Sequence, residues 1–505
     1  MLETPSSKTE APAPSGATML ADFGFGSFSP EQREDVGDAP APDFVRDLDY
    51  ERQEGIAEVL RAVASRAPVV LVSGRAGTGK SKLIEYMKGM PGGRRQVVVA
   101  PTGVAALALK ASTIHSLFRL PVGVVDAAGM PEEERFGRLL RIMRRLVIDE
   151  ISMVRADLLD GIDRRLRDLR KSDKPFGGVQ VVMVGDFLQL PPVVTPEDRS
   201  LLSKLGYDTP FAFSAKVLAT TPVKAATLKK VWRQSDPEMI KALGAIREGR
   251  RTEEALAWLN ARCARDHREG AAPLMLTATR AAADAYNASG MSALPRAANG
   301  RAEGLQVFEA IADGAFQRDN AILPAPRSLE LAPGVRVMAV KNDQNGDYVN
   351  GSLGVVTEID MARDDGPAAK VRFDHNGLEV WIGFAMWTKT AQAWDDEQGA
   401  IVENVVGVFN QVPLVRGYAI TIHKSQGLSL DDVRVDLGRG AFAAGQLYVA
   451  LSRARSAEGL SLARPIEPKD VQVDEMLVRF LEWAKTSSNL AFEKPVDNAS
   501  AATAD

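Results

Sequence analysis

The order of apolar and polar positions divides the chain into three textures. From Asp43 to about Ala226, short continuous apolar runs (Val69 to Val72, Gln96 to Val99, Arg145 to Ile148, Val179 to Val184) are separated by helix-compatible stretches. Such runs mark strands covered on both faces, so a parallel sheet flanked by helices is expected. The alternation returns from Thr227 to about Ala298 and from Val405 to Ala463, which predicts a second α/β unit. Between these pieces lie short β-rich runs, Leu331 to Val340, Tyr348 to Glu358, Ala369 to Asp374 and Leu378 to Phe384, broken at Asn345-Gly346, Asn350-Gly351 and Asn376-Gly377. Asn-Gly pairs favour tight turns, so a small all-β barrel inserted into the second unit is expected over 331–404. The division that follows is 43–226 for the first unit and 227–330 with 405–470 for the second. Residues 1–42 lack apolar periodicity and are expected to be disordered, and the polar stretch 486–505 is expected to be loose.

Three strand ends carry chemistry. The run at Val69 leads into Gly74-Arg75-Ala76-Gly77-Thr78-Gly79-Lys80-Ser81, a G-x-x-x-x-G-K-[ST] phosphate loop between a strand and a helix-compatible run. Its glycines let backbone N–H groups turn onto phosphate oxygens, Lys80 reaches the β- and γ-phosphates, and the Ser81 hydroxyl suits Mg²⁺. Val147 and Ile148 lead into Asp149 and Glu150. Beside a phosphate loop, Asp149 is expected to hold Mg²⁺ and Glu150 to orient and deprotonate the attacking water. The run at Val179 ends in Gly185-Asp186-Phe187-Leu188-Gln189-Leu190-Pro191-Pro192, where Gln189 has the reach to sense a γ-phosphate or is simply part of a proline-closed loop.

Composition narrows the rest. No apolar run approaches the roughly 18 residues of a membrane span. The single Cys263 excludes an internal disulfide framework and cysteine-ligated metal sites, and four histidines leave little for a histidine metal centre. A reducing cytoplasm fits this usage, and the N-terminus shows neither a secretory signal nor a transit peptide. The net charge of −4 is concentrated in residues 1–42, where seven acids face Lys8 and Arg33, so the remainder is nearly neutral and a basic groove of limited extent is allowed. The densest basic clusters, Arg138, Arg141, Arg144, Arg145 and then Arg164, Arg165, Arg167, Arg170, Lys171, Lys174, read as a solvated helix face. In the extension, Phe23, Phe25 and Phe28 in a polar tract form either a partner-docking peptide or a linker.

Further motifs occur in a fixed order: Ala100 to Ala106 (APTGVAA), Ser112 to Phe118 (STIHSLF), Ile148 to Met153 (IDEISM), Trp232-Arg233-Gln234, Thr421 to Gly427 (TIHKSQG) and Tyr448 to Ala454 (YVALSRA). With the phosphate loop and the Gly185 to Pro192 segment, they resemble motifs I through VI of the superfamily 1B DNA helicases of the PIF and RecD-like branch, over about Asp43 to Ala463. The resemblance implies two RecA-like P-loop domains closing on one ATP with Mg²⁺, an SH3-like β insert, and movement 5′ to 3′ along single-stranded DNA by a monomer. It implies arginine fingers at Arg233 and Arg453, nucleotide contacts at Gln426 and Gly427, and an adenine-reading Gln53 whose local sequence departs from the commoner form. It also implies DNA contacts at Thr102, Thr113, His115 and His423. Phe118 is expected either as a stacking face for a base or as core. The stretch 119–138 occupies the place of a strand-separating pin but shows no aromatic wedge. Of Trp381, Trp387 and Trp394 in the insert, Trp381 is assigned to the core. A DNA-stimulated ATPase that remodels protein–DNA complexes without unwinding is the competing expectation.

Overall fold

The computed structural model describes residues 47–53, 55–90, 93–121, 123–127, 138–265, 273–318, 321, 323–395 and 400–486. The expectations for 1–42, the Phe23 to Phe28 segment, most of the pin stretch and the tail beyond 486 lie outside them.

The first sheet has six strands: β1 (Val69–Gly74), β2 (Gln96–Ala100), β3 (Ser112–Thr113), β4 (Arg145–Ile148), β5 (Gln180–Gly185) and β6 (Val223–Leu228). They lie in the order β3-β2-β4-β5-β1-β6, and every neighbouring pair is parallel. The four continuous apolar runs became β1, β2, β4 and β5, and both faces are covered. Val69, Leu71, Val97, Val99, Leu146 and Ile148 enter one core, while Val70, Val72, Val98, Val147, Val182 and Val184 enter the other. Each such side chain contributes about 1.5–3 kcal/mol on burial. All parallel strands therefore deliver their carboxyl ends to one edge, where ligands bind in sheets of this kind.

The second sheet is also parallel, in the order Ala419–Thr421, Leu274–Thr277, Val433–Asp436, Leu460–Leu462. The β material between its halves is wider than the turn pattern indicated, running from Gln306 to Arg416. Five antiparallel strands are ordered Glu379–Ile382, Ala368–Phe373, Leu353–Asp360, Arg336–Ala339, Leu414–Arg416, and they enclose Val337, Val356, Val371, Phe373, Ile382 and Leu414. A long hairpin, Ala385–Asp395 with Ala400–Gln411, stands beside them and reaches the first unit, where the Thr390 hydroxyl donates to the Lys110 carbonyl at 3.4 Å. Met386 and Val405 on this ribbon are each 57% exposed, so apolar residues stand on its outward face as well as beside the buried Phe409, which blurs the polar–apolar alternation by which a strand is usually recognised.

Two expectations need correction, and one element carried none. The helix Glu475–Thr486, beyond the bound of 470 expected for the second unit, packs on the first. Leu477, Phe480, Leu481 and Ala484 join the first core, and the Phe480 ring stacks on Phe213 with centroids 4.5 Å apart. Much of the basic cluster points inward rather than into solvent. Arg145 is bonded to Gln180 at 3.0 Å and Gln96 at 3.1 Å, Arg165 is buried, and Arg170 clasps the carbonyls of Gly177, Leu140, Arg141 and Met143. Trp381 is half-buried under the guanidinium of Arg363 at 4.6 Å and the ammonium of Lys370 at 5.6 Å, not in the core. Trp387 packs on Phe409 beneath Lys341.

Candidate active site

The phosphate loop leaves β1 at Gly74 and enters the helix Lys80–Gly89, whose N-terminal N–H groups favour an anion. Gly77 and Gly79 have φ of +77° and +86°, and a Cβ on Gly77 would lie 2.5 Å from the Cβ of Arg233. Only glycine meets both demands, positive φ and close approach. The Trp232 N–H donates to the Gly77 carbonyl at 2.8 Å, which fixes the segment carrying Arg233 against the loop. The Lys80 ammonium donates to the carbonyls of Gly74 at 2.9 Å and Arg75 at 3.1 Å. Burial pulls its pKa down, against Asp186, Glu150 and Asp149, which favour the charged form.

Asp149 and Glu150 follow β4 at the same edge. Burial and the adjacent Glu150 push the Asp149 carboxyl up to about 7, while Lys80 acts the other way. Glu150 has φ of +48°, a left-handed conformation costing a non-glycine residue about 1–3 kcal/mol, and it turns the carboxylate into the cleft. That carboxylate accepts from the Gln426 amide at 3.0 Å, and the same amide lies 3.4 Å from the Gln189 side-chain oxygen. Gln426 follows the strand Ala419–Thr421, so this contact crosses between the units.

Opposite stand two arginines. Arg233 donates to the Ser429 hydroxyl at 2.7 Å and the Ser452 carbonyl at 2.9 Å. Burial, and then Arg453, hold its guanidinium down to about 9. Arg453 is 1% exposed and donates to the Val449 carbonyl and the Ser452 hydroxyl, both at 2.8 Å. The cavity enclosed, about 760 Å³, is lined by Gln53, by Ala76 to Ser81, by Glu150, Gln189, Gly427 and by both arginines. That volume suits a nucleotide. Of the residues expected at the nucleotide, Gly74, Asp149 and Gln426 stand behind this lining: Gly74 offers its carbonyl to Lys80, Asp149 is buried, and Gln426 reaches in to Glu150.

Known proteins resemble this chain in sequence and in fold. The profile of the PIF1-like helicases matches residues 47–254. The human ATP-dependent DNA helicase PIF1 is 34% identical over 450 residues, 88% of this chain and 66% of its own length. The Bdellovibrio bacteriovorus ATP-dependent DNA helicase Pif1 is 32% identical over 420 residues, 81% of this chain and 87% of its own length. This chain belongs to the PIF1-like helicase family. The crystal structure of Bacteroides sp Pif1 in complex with ADP-AlF4 matches with a TM-score of 0.77 at 33% identity, covering 88% of this chain and 99% of that one. Bacteroides Pif1 bound to ssDNA matches at 0.61 and 34% identity, covering 86% and 99%. The chain spans somewhat less than two thirds of the length of the mammalian PIF1 relatives.

In this PIF1-like chain the residues expected along a DNA strand also follow strand ends. Thr102 follows β2 and caps a helix by accepting from the Ala105 N–H at 3.3 Å; Thr113 ends β3 and caps the next by accepting from Ser116. Thr113 and His115 line a cleft of about 320 Å³ shared with Lys110, Arg318 and Lys389. His423 follows the strand Ala419–Thr421 and is half-buried. Phe118 must be reassigned. It is fully buried among Ile114, Leu120 and Val125, so no base can reach its ring.

Several contacts of the cleft escaped the sequence reading. Asp186, fully buried, pairs with Arg247 of the helix Pro237–Glu248 at 2.6 Å. Burial alone would raise the Asp186 carboxyl, but Arg247 overrides it and holds the value below the usual range. Beside them Arg75 pairs with Glu248 at 3.0 Å, and the Ala76 N–H donates to the Tyr448 hydroxyl at 3.0 Å. Trp232, under the Lys230 ammonium at 3.7 Å, completes the cavity wall. Asp186 followed an apolar run as Asp149 did, which was a usable signal. Arg247, on an ordinary amphipathic helix, offered none.

Proposed function

We propose that this chain is an ATP-driven motor on single-stranded DNA that moves 5′ to 3′ and unwinds duplex DNA. The observation that carries this reading is one cavity with walls from both α/β units, Lys80, Ser81 and Glu150 on one side and Arg233 and Arg453 on the other, bridged by Gln426. Glu150 orients a water and takes its proton as the γ-phosphoryl passes to the water oxygen, giving ADP and phosphate. Lys80 and the loop N–H groups hold the phosphate oxygens, and each arginine meets the charge that spreads over them in the transition state, worth about 10³ to 10⁵ in rate.

The Ser81 hydroxyl and the Asp149 carboxylate fit Mg²⁺, an ion that binds through one or two protein oxygens plus phosphate and water. Among the described residues no group of three acids, histidines or cysteines offers a denser cage. When bound, the ion supplies positive charge to the phosphate oxygens.

In this reading 43–226 is the first motor domain, 227–330 with 405–470 the second, and 331–404 an SH3-like insert within the wider β region. Thr102, Thr113, His115 and His423 grip phosphates along the strand without reading bases. Gln53, in the cavity wall, reads the adenine. One chain supplies both walls, so the working unit is a monomer. No helix among the described residues is long and apolar enough to cross a membrane, and the buried single Cys263 fits a cytoplasmic setting. Pull-downs before and after deletion of 1–42 separate the docking-peptide and linker readings of the Phe23 to Phe28 segment, with unchanged partners against docking.

Strand separation on 5′- and 3′-tailed duplexes, with wild type beside Glu150→Gln, tests the whole. Unwinding from the 5′ tail, lost in Glu150→Gln, is expected. Unwinding only from the 3′ tail reverses the polarity, and DNA-stimulated hydrolysis without strand separation favours the remodelling ATPase.

A further inference from the structure

The strand ends of the second sheet carry an aromatic pair outside the nucleotide cavity. Strands Ala419–Thr421 and Val433–Asp436 flank Leu274–Thr277 as parallel neighbours. The segments leaving them hold His423 and Phe442 and emerge at one edge. There the two rings stack, with centroids 6.4 Å apart and planes within 18°. The inner ring, His423, is half-buried, and burial holds its pKa below the ordinary value, so it is a neutral flat surface at neutral pH. The outer ring, Phe442, is 60% exposed.

This exposure is built into the loop. The Phe442 N–H donates to the side-chain oxygen of the fully buried Gln446 at 3.0 Å, and the carbonyl of Ala441 accepts from Gln472 at 2.6 Å. Gly440, with φ of +140°, makes the turn that precedes them. The peptide group that leads into Phe442 is therefore anchored at both its carbonyl and its N–H, and the ring is held outward with its hydration cost unrelieved. Lys424 and Arg439, each near one ring in the chain, are exposed cations suited to backbone phosphates. In the first unit Phe118 is buried, so Thr102, Thr113 and His115 grip a strand there without a phenyl face.

We propose that Phe442, backed by His423, is a stacking platform for one base of single-stranded DNA on the second α/β unit. The proposal rests on the DNA-motor reading above and adds a contact that the phosphate-gripping residues cannot make. Every base has a π-face, so such a platform holds the strand without reading its sequence. It also rides on the second unit, so closure of the nucleotide cleft would carry the stacked base relative to the first.

The test is fluorescence-anisotropy binding of the full chain to two labelled oligonucleotides of equal length, oligo-dT and a strand in which consecutive central positions are abasic. Phe442→Ala is expected to weaken oligo-dT binding about 5- to 150-fold, as for loss of one base–aromatic stack, and to leave abasic binding unchanged. Phe442→Trp should restore oligo-dT affinity and Phe442→Leu should not, while the salt slope set by phosphate contacts stays constant. Unaltered melting temperatures of the Leu and Trp variants exclude misfolding as the cause. If Phe442→Ala binds oligo-dT like wild type, loses equally on both strands, or is fully rescued by leucine, the stacking role is overturned with the motor reading intact. Wild-type chain that binds neither strand overturns both.

Discussion

The two walls of the nucleotide cavity are built on opposite plans. On the first, the phosphate-facing groups are backbone N–H donors, shaped by two left-handed glycines and a helix N-terminus, joined by the Lys80 side chain. On the second they are side chains, Arg233 and Arg453, tied to carbonyls and hydroxyls of Ser429, Val449 and Ser452. A backbone cradle is complete wherever its own loop folds. An arginine wall is complete only where the second unit stands against the first. In the proposed reading the difference separates holding the nucleotide, assigned to the first wall, from hydrolysing it, assigned to both.

The strongest way to break that division is Arg233→Ala. It should lower kcat by about 10³ to 10⁵ while nucleotide affinity changes little, checked by steady-state hydrolysis beside equilibrium binding of a non-hydrolysable analogue. An equal loss in both would show that the arginine wall is part of the binding cradle. Next in size is the buried pair beneath the cavity. Arg247→Met leaves Asp186 charged without its arginine partner, at a cost of about 3–5 kcal/mol in chemical denaturation at neutral pH. In wild type the depressed Asp186 pKa contributes stability that is present above the unfolded value, about 3.9, and is lost as pH falls through the folded one. In the variant burial raises the pKa, protonation relieves the stranded charge, and the deficit should shrink as pH falls; a constant deficit would place the effect elsewhere. Smallest is Tyr448→Phe, which strands the buried Ala76 N–H and should cost about 1–3 kcal/mol in stability. If the loop depends on the second unit for its shape, nucleotide affinity falls with it; if the cradle is self-sufficient, affinity holds.

The same division explains what could be read from sequence. The phosphate loop, the acids after β4 and the strands beneath them are local: spacing within a few residues sets their geometry, and continuous apolar runs fixed which strands were buried on both faces. Gln426 and the two arginines came through motif order and family resemblance, because nothing in their own neighbourhoods says what they face. The contacts between units were hidden for a further reason. Asp186 and Arg247 are 61 positions apart, and Ala76 and Tyr448 are 372 apart, so each partner reads as an ordinary residue until the fold joins them. Phe118 shows a related limit. On a helix of five residues an aromatic side chain can face either way, and the cluster around Ile114, Leu120 and Val125 decides it. The hairpin at Ala385 to Gln411 stayed hidden because Met386, Val405 and Val406 put apolar side chains on its exposed face, so the polar–apolar pattern does not follow its pleat. The arginines of the helix Ala156–Arg170 misled because guanidinium groups satisfy buried carbonyls as readily as they face water.

The helix Glu475–Thr486, seated in the first core, means that the chain passes between the two units a second time. One passage is the segment after β6 that carries Trp232 and Arg233; the other leads through Gln472, which is bonded to Gly445 and Ala441 of the second unit. A body held to another by a single thread can drift in any direction. Two passages leave the second unit fewer directions of movement, so in the proposed motor a closing cleft is expected to turn rather than drift.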